Sequence, residues 1–451
     1  MSKKITIGKE FKAAYKAMNE TDDHLFLTGR AGTGKSTLLE YFRKQTQKKH
    51  VVLAPTGVAA LHVKGQTIHS FFGFHPAIRP ELVQRAFPDA LPLFKTIETI
   101  IIDEISMVRA DLLDCIDRAL RLNRGRPKEP FGGVQMIFIG DLFQLPPVVT
   151  RDETVRFETE YVSPYFFSAN VMHEVNIQLI ELKKVYRQKE QSFINLLERL
   201  RTGTTDQTDA DAWNERHDPY FDPAEETGFI HLTTTNKMAQ QRNEYELKQL
   251  SGKEWKLKAQ SSGELPDRRM PSESIICVKE GARIMFTTND PEKRWVNGTL
   301  GTITRIRQKD LTKFPLLEVE LEDGSSVEVC QHKWELFEYQ HDGDGDLEES
   351  VIGSYTQYPI TLAWAVTIHK GQGKTFDRIL VDVGWGAFAH GQLYVALSRC
   401  TTFKGLVLLK PFRIKDVILD QAVVDFMSLY KETSAKLAIS VLTGSRPSRS
   451  P

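Results

Sequence analysis

The first half of the chain alternates short apolar runs with longer amphipathic segments. The apolar runs are residues 24–28, 51–54, 99–102 and 134–139. Because buried strands that alternate with helices form parallel sheets covered by helices, this pattern predicts an α/β core. The first amphipathic segment should pack against that core through one face, which carries Phe11, Ala14, Tyr15 and Met18.

A different pattern begins near residue 275. Short β-rich runs follow one another as far as about residue 350, and the pairs Asn297-Gly298 and Asp323-Gly324 between them favour tight hairpin turns. Residues 275–350 are therefore predicted to form a small antiparallel barrel inserted into the α/β part of the chain. The tail, residues 436–451, is predicted to be disordered.

The apolar run at residues 24–28 leads into Gly-Arg-Ala-Gly-Thr-Gly-Lys-Ser, residues 29–36, and then into a helical segment. This is the complete pattern of a phosphate-binding loop, in which backbone N–H groups and the positive end of a helix surround phosphate oxygens. Lys35 would reach the β- and γ-phosphates, and Ser36 would hold magnesium. The predicted nucleotide-binding residues are Gly29, Ala31, Gly32, Thr33, Gly34, Lys35, Ser36 and Thr37.

Two other apolar runs end in polar residues that suit phosphate hydrolysis. One leads to Asp103, which would bind magnesium through water, and to Glu104, which would orient and deprotonate the attacking water. The other is followed by Gln144, whose amide can accept from water and donate to phosphate at once. Ligands of parallel sheets gather at the carboxyl ends of the strands, so we expect these groups to meet in one nucleotide-hydrolysing site.

Composition and charge narrow the class of protein without naming a substrate. The 451 residues are 41% apolar and 26% charged, which is typical of a globular protein too long for one ordinary domain. Lys and Arg together number 59, as do Asp and Glu, so the net charge gives no argument for nucleic acid. The four cysteines lack zinc-site or redox-motif spacing, which favours reduced thiols. Without a signal peptide or a membrane-spanning run, we expect an intracellular, cytoplasmic protein.

A series of segments occurs in the order found in Pif-type DNA helicases, which are RecD-like members of helicase superfamily 1B. They are "GRAGTGKST", "APTGVAA", "GQTIHSFF", "IIDEISM", "GDLFQLPPV", "VYRQ", "TIHKGQGKTFD" and "YVALSRC". The chain resembles this family over nearly its whole length, from Gly29 to Cys400. The resemblance implies two RecA-like motor domains that use ATP and Mg²⁺ to move 5′ to 3′ along single-stranded DNA and to unwind duplexes.

The same resemblance suggests partners and a setting. Single-stranded and forked duplex DNA are the expected partners, and G-quadruplexes and RNA–DNA hybrids are further candidates in replication, repair, recombination and genome maintenance. We expect a monomer or a weak DNA-induced dimer, associated with the bacterial nucleoid, or nuclear or mitochondrial in a eukaryote. Two alternatives are a RecD-like subunit of a nuclease complex and a P-loop switch that binds nucleic acid or protein without translocating.

A second Gly-Lys-Thr, at residues 373–375, raises the question of a second phosphate-binding loop. Ile368 stands where such a loop needs glycine, and the segment leads into "FDRILVDV" rather than into a helix. It resembles instead the family's motif V, in which Thr367 and His369 face the DNA backbone and Gln372-Gly373 lie near the ATP site.

The resemblance also assigns two arginines and a DNA track. Arg187 and Arg399 match arginines that reach the γ-phosphate from the second motor domain, where they would stabilise charge on the transferring group. The positions that match DNA contacts are Pro55, Thr56, Gly57, His69, Ser70, Phe72, Thr234, Asn236, Lys237, Thr367, His369 and Lys370. The aromatic cluster Phe71, Phe72 and Phe74 fits equally well as a stacking platform for bases or as a core face.

The architecture of the family suggests domain limits. The predicted limits are 1–187 for the first motor domain with a duplex-splitting wedge at about 66–95, 188–274 and 351–435 for the second motor domain with the family's signature segment at 192–216, and 275–350 for a barrel like Src-homology-three domains. Two positions depart from the family. Phe11 stands near the usual place of an adenine-reading glutamine, which leaves the preference for ATP open, and Gly371 replaces a serine in motif V.

Overall fold

A computed structural model describes residues 8–75, 77–86, 88, 90–221, 228–263, 272–308, 314–341, 347–384 and 386–429. The helices are α1 Lys9–Glu20, α2 Lys35–Gln45, α3 Gly57–His62, α4 Ile68–Phe72, α5 Leu91–Thr96, α6 Ala110–Arg124, α7 Arg151–Glu160, α8 Gln191–Thr202, α9 Gln207–Asn214, α10 Asn236–Gln249 and α11 Gln392–Leu397. Residues 421–429 form a further helix, called here the C-terminal helix. The predicted disordered tail at 436–451 lies outside the described residues, as do residues 342–346.

The strands fall into parallel and antiparallel sheets. They are β1 His24–Gly29, β2 His50–Ala54, β3 Gln66–Thr67, β4 Thr99–Ile102, β5 Gln135–Ile139, β6 Ile177–Leu182, β7 Phe229–Thr233, β8 Trp255–Lys258, β9 Gln260–Gly263, β10 Ile275–Val278, β11 Arg283–Phe286, β12 Leu300–Gln308, β13 Pro315–Leu321, β14 Ser326–Val329, β15 His332–His341, β16 Leu347–Gln357, β17 Ile360–Leu362, β18 Ala365–Thr367, β19 Arg378–Asp382 and β20 Leu406–Leu408.

The first six strands form one parallel sheet in the order β3-β2-β4-β5-β1-β6. Strands β4 and β5 are buried along their whole length, as expected for a sheet covered by helices on both faces. Helix α1 buries Phe11, Ala14 and Met18 against this core, while Tyr15 is partly buried at its edge. The predicted α/β core is confirmed, and so is the face through which α1 packs.

A second parallel sheet has the order β18-β7-β19-β20. Helices α8 and α9 pack beside it and contribute the buried rings of Phe193 and Trp213 to its core. Helix α11 begins after Gly391 and is followed by β20, so the element order inferred from the sequence holds here.

The antiparallel strands lie between Trp255 and Leu362, so they extend beyond residues 275–350 at both ends. They pair as β14-β13-β12-β11-β17, β15-β16-β9 and β10-β8. Among the described residues these remain three separate sheets, and no strand pairing closes them into the predicted barrel. Both predicted hairpin glycines adopt left-handed backbone angles, with φ of 97° at Gly298 and 82° at Gly324.

The C-terminal helix returns to the first parallel sheet. Val423 and Met427 are buried in that sheet's core, and the ring of Phe426 stacks on Phe167 with centroids 4.2 Å apart. The predicted limits, which follow the architecture of the family, include this segment in the second motor domain. No helix in the described part of the chain combines the length and the apolar character that a bilayer crossing needs.

Candidate nucleotide site and nucleic-acid interface

The predicted phosphate-binding loop connects β1 to α2. Gly32 and Gly34 have φ of 78° and 90°, a region that favours glycine. A Cβ atom on Gly32 would lie 2.5 Å from the Cβ of Arg187. The glycine is therefore required twice, by the turn itself and by its close approach to a predicted catalytic arginine.

Lys35 is the first residue of α2, and its ammonium group is hydrogen-bonded inside the phosphate-binding loop. Its Nζ donates to the carbonyl oxygens of Gly29, at 2.6 Å, and Arg30, at 3.2 Å. Burial lowers the pKa of Lys35, while the nearby carboxylates of Asp141 and Glu104 act in the opposite direction. A cation held among backbone groups at the start of a helix is suited to bind phosphate.

The predicted acidic pair follows β4. Burial, and then repulsion from Glu104, raises the pKa of Asp103 to about 7. Glu104 has a φ of 52°, a left-handed conformation that is uncommon for residues other than glycine. Asp103 and Glu104 therefore both lie just beyond the carboxyl end of β4.

These oxygen donors fit magnesium only together with a nucleotide. Among the described residues, no group of three or more histidine, cysteine and acidic side chains could hold a metal alone. Magnesium is commonly bound by one or two protein oxygens plus substrate phosphates. The buried carboxylate of Asp103 and the hydroxyl of Ser36 match that requirement, and a cation would relieve the repulsion between Asp103 and Glu104.

Gln144 lies beside the acidic pair and contacts a residue from the far end of the chain. Its Nε2 donates to Asp141 Oδ2 at 3.3 Å. Its Oε1 accepts from Gln372 Nε2 at 3.4 Å, and the same Gln372 amide donates to Glu104 Oε2 at 3.2 Å. The sequence placed Gln372 near the nucleotide without giving it a contact, and the structure brings it against both groups.

The two predicted arginines lie in the same cleft. Arg399, 1% exposed, donates from Nε to the carbonyl of Val395 at 2.8 Å, and burial lowers its pKa. Arg187 donates to the carbonyl oxygens of Ser398, at 3.2 Å, and Gly373, at 3.4 Å. Burial, together with repulsion from Arg399, lowers the pKa of Arg187 to about 9. A negatively charged phosphate near Arg187 would act on its pKa in the opposite direction.

As the sequence predicted, the second Gly-Lys-Thr does not form a phosphate-binding loop. Residues 373–375 are followed by strand β19 rather than by a helix. Lys374 is half-buried against the sulfur of Met285, and burial lowers its pKa to about 8. Gly371 is buried, and its N–H donates to the carbonyl of Thr367.

The position near the family's adenine-reading glutamine is filled by a core side chain. Phe11 is 8% exposed and meets Tyr41 edge to face, with ring centroids 5.6 Å apart. Its ring therefore packs between α1 and α2 and offers no hydrogen bond to a base.

Sequence reasoning missed two buried polar side chains in the cleft. The N–H of Ala31 donates to the hydroxyl of Tyr394 at 3.1 Å, which ties α11 to the phosphate-binding loop. Arg201 forms a buried ion pair with Asp141 at 2.9 Å. A signal for Arg201 existed, because it occupies the apolar face of α8, eight positions after Phe193.

The predicted DNA residues of the first half lie at the carboxyl ends of β2 and β3. These strands pair with Ala54 opposite Thr67, so Pro55-Thr56-Gly57 and His69-Ser70 are neighbours. The hydroxyl of Thr56 accepts from the N–H of Ala59, and that of Ser70 accepts from Gln66 Nε2.

The neighbouring aromatic cluster is mainly a core face. Phe71 and Phe74 are 8% and 7% exposed and belong to the core of the first sheet. Phe72 is half-buried and stacks on Phe74, with centroids 5.1 Å apart. Only Phe72 of the three keeps substantial ring surface outside the core.

The predicted DNA residues of the second half lie at the carboxyl ends of β7 and β18, where Thr233 pairs with Thr367. Thr234 and Thr367 are buried, and the exposed residues beside them are Asn236, Lys237, His369 and Lys370. The exposed groups suit phosphate contacts better than base recognition.

Comparisons with known proteins agree with this geometry. The profile of the PIF1-like helicase family matches residues 6–211. The "ATP-dependent DNA helicase Pif1" of Bdellovibrio bacteriovorus is 31% identical over 419 residues, covering 91% of this chain and 89% of that protein. Bacteroides Pif1 in complex with ADP-AlF4 superposes with a TM-score of 0.87 at 34% identity, covering 95% of this chain and 98% of that one.

The same Bacteroides protein bound to single-stranded DNA gives a lower TM-score, 0.68 at 35% identity, with 95% and 98% of the chains covered. The arrangement of this chain is thus nearer to that of the ADP-AlF4 complex than to that of the complex with single-stranded DNA. Because sequence and fold agree across nearly the full length, the chain belongs to the PIF1-like helicase family.

Proposed function

We propose that this chain is an ATP-dependent DNA helicase that moves 5′ to 3′ on single-stranded DNA and unwinds forked duplexes. The observation that carries the proposal is the composition of the nucleotide cleft. Lys35 and Glu104 come from the first parallel sheet, and Gln372 and Arg399 come from segments around the second. The site is therefore assembled from two bodies, the first built on the first parallel sheet and the second built on the second parallel sheet. Hydrolysis then depends on how these two bodies close.

The DNA track supports the same proposal. One set of candidate contacts lies at the edge of the first sheet, around Thr56 and Ser70, and the other at the edge of the second, around Lys237 and His369. When ATP alternately draws the two bodies together and releases them, each set would hold the strand in turn. Because the exposed groups suit the phosphate backbone, we propose little sequence preference.

ATP would be held by the loop from Gly29 to Thr37, with Mg²⁺ at Ser36 and Asp103. Magnesium would supply charge neutralisation between phosphate oxygens. Gln144 would sense the γ-phosphate, Glu104 would orient water, and Arg187 and Arg399 would face the developing charge. These roles follow the family assignment, and the clustering of the side chains supports them.

The remaining features of the proposal rest on the resemblance. The domain limits 1–187, 188–274 with 351–435, and 275–350 remain a proposal, in which residues 421–429 pack on the first sheet and the antiparallel strands extend beyond 275–350 at both ends. Monomeric action or weak dimerisation on DNA is proposed with them. G-quadruplexes and RNA–DNA hybrids are proposed additional substrates.

Strand displacement on duplexes with a 5′ or a 3′ tail tests polarity, with the purified chain alone. We expect unwinding from the 5′ tail only, and unwinding from the 3′ tail only would defeat the polarity. Lys35→Ala should abolish ATP turnover and unwinding together, whereas Lys44→Ala, an exposed position on the same helix, should leave both unchanged. Unwinding that survives Lys35→Ala would contradict an ATP-driven motor, and activity without partner proteins would exclude an obligatory nuclease complex.

A further inference from the structure

A buried ion pair joins the two halves of the molecule beside the nucleotide cleft. Arg201 Nη2 lies 2.9 Å from Asp141 Oδ1, and the two side chains are 1% and 0% exposed. The Arg201 guanidinium also lies over the ring of Phe143, 4.5 Å from its centroid. Asp141 and Phe143 belong to the loop after β5 that carries Gln144.

Arg201 approaches this loop from the other body. It lies on α8, whose neighbouring residues Leu197 and Leu200 are buried in the core around the second sheet. One turn earlier on the same helix, Glu198 forms an ion pair with Arg30 of the phosphate-binding loop at 2.8 Å. Helix α8 therefore contacts both nucleotide-facing loops of the first sheet.

Both partners of the buried pair are charged. Burial alone would lower the pKa of Arg201, but attraction to Asp141 outweighs it and the pKa is raised. Burial alone would raise the pKa of Asp141, but Arg201 and Lys35 outweigh it and the pKa is lowered. Removing one partner of such a pair leaves an uncompensated buried charge, so separating the two during each ATP cycle would be costly. We therefore expect this ion pair to persist throughout the ATP cycle.

The Asp141 carboxylate also accepts two hydrogen bonds from its own loop. Oδ2 accepts from Gln144 Nε2 at 3.3 Å, and Oδ1 accepts from the N–H of Phe143 at 3.3 Å. The position of the Gln144 amide is therefore fixed by a carboxylate that Arg201 holds.

We propose that Arg201 is a positioning residue for ATP hydrolysis, which acts by holding Asp141 and, through it, Gln144 in place against the γ-phosphate. The proposal rests on the proposed function, in which Gln144 is the phosphate sensor. In this proposal, α8 keeps the loop that carries Gln144 aligned with the second body while the rest of the cleft opens and closes.

Arg201→Gln should lower the basal turnover number for ATP at least about tenfold, with little change in the dissociation constant of a fluorescent ATP analogue. The matched control is Arg199→Gln on the same helix, whose partner is Asp209, and it should keep wild-type turnover. If Arg201→Gln does not fold, Arg201→Lys keeps the charge, loses the guanidinium fork, and serves in its place.

A double-mutant cycle separates positioning from general structural support. In a Gln144→Ala background, the Arg201 substitution should cause almost no further loss of turnover, because the group through which it acts is already missing. Losses that multiply in the double variant, or a folded Arg201 variant with wild-type turnover, would overturn the proposal. All turnover numbers are measured without DNA. A chain with neither DNA stimulation nor unwinding would refute the proposed motor, but the double-mutant cycle would still decide whether Arg201 acts through Gln144.

Discussion

The side-chain amide of Gln372 donates to the carboxylate of Glu104 across 3.2 Å, although 268 positions separate the two residues in the chain. The same amide contacts Gln144. A loop of the second body thus touches both groups that are expected to handle the attacking water. This contact links the segment that resembles motif V to the groups proposed to act in hydrolysis.

Gln372→Ala should reduce the turnover number for ATP about tenfold and change the Michaelis constant much less, because the contact concerns water and the γ-phosphate rather than nucleotide binding. Steady-state hydrolysis with and without single-stranded DNA measures both constants. Gln240→Ala, on the exposed face of α10, is the control. An unchanged turnover number in Gln372→Ala would show that the contact has no part in hydrolysis.

Gly391→Ala should be far more harmful than Gly73→Ala, although both glycines have nearly the same backbone angle, φ of 66° and 65°. An added Cβ at Gly391 would lie 2.3 Å from the carbonyl oxygen of Phe143, whereas at Gly73 it would meet nothing within 4 Å. We expect Gly73→Ala to cost about 1 kcal/mol of unfolding free energy, and Gly391→Ala about 1–3 kcal/mol more. Thermal unfolding compares the two, and equal shifts in the midpoint would contradict the close approach of α11 to the Gln144 loop.

Phe426→Ala should destabilise the first body, since the C-terminal helix covers its core. The ring is partly buried and stacks on Phe167, so we expect a loss of about 2 kcal/mol. Leu429→Ala, which alters a side chain 62% exposed on the same helix, should change stability by less than about 0.5 kcal/mol. Thermal melting of both variants is the measurement, and similar midpoints would mean that the helix is not held at this place in solution.

His231 on β7 should make the stability of the protein depend on pH. Burial lowers its pKa to about 4, against partial opposition from Asp382 at 3.9 Å. The unfolded chain therefore takes up a proton near pH 6.5 that the folded chain takes up only near pH 4, so this contribution is complete above pH 6.5 and is lost as the pH falls. Between pH 7 and pH 5 the wild type should lose about 2 kcal/mol through this group, and His231→Gln should not. Parallel acid-induced shifts in the melting temperatures of the two proteins would refute this assignment.

Several parts of the site could be predicted because they are contiguous in the chain. Strand, glycine loop and helix occur in immediate succession around Lys35, and Asp103 and Glu104 directly follow a buried strand. The face of α1 that carries Phe11 and Met18 was readable for a similar reason, since the helical repeat alone brings those residues together. The positions of Arg187 and Arg399 came from the family resemblance, and the structure places both in the cleft.

Other relationships depended on surfaces far apart in the sequence. The domain limits taken from the family did not show that residues 421–429 cover the first core, and the hairpin signals near 298 and 324 did not mark where the antiparallel sheets begin or end. The pair of Arg201 with Asp141 and the contact of Gln372 with Glu104 were likewise decided by tertiary packing. The sequence determines which side chains must be buried or must turn the backbone, because those demands are local. Which buried group meets which is decided only when distant segments pack, because that choice depends on the shapes and charges of both.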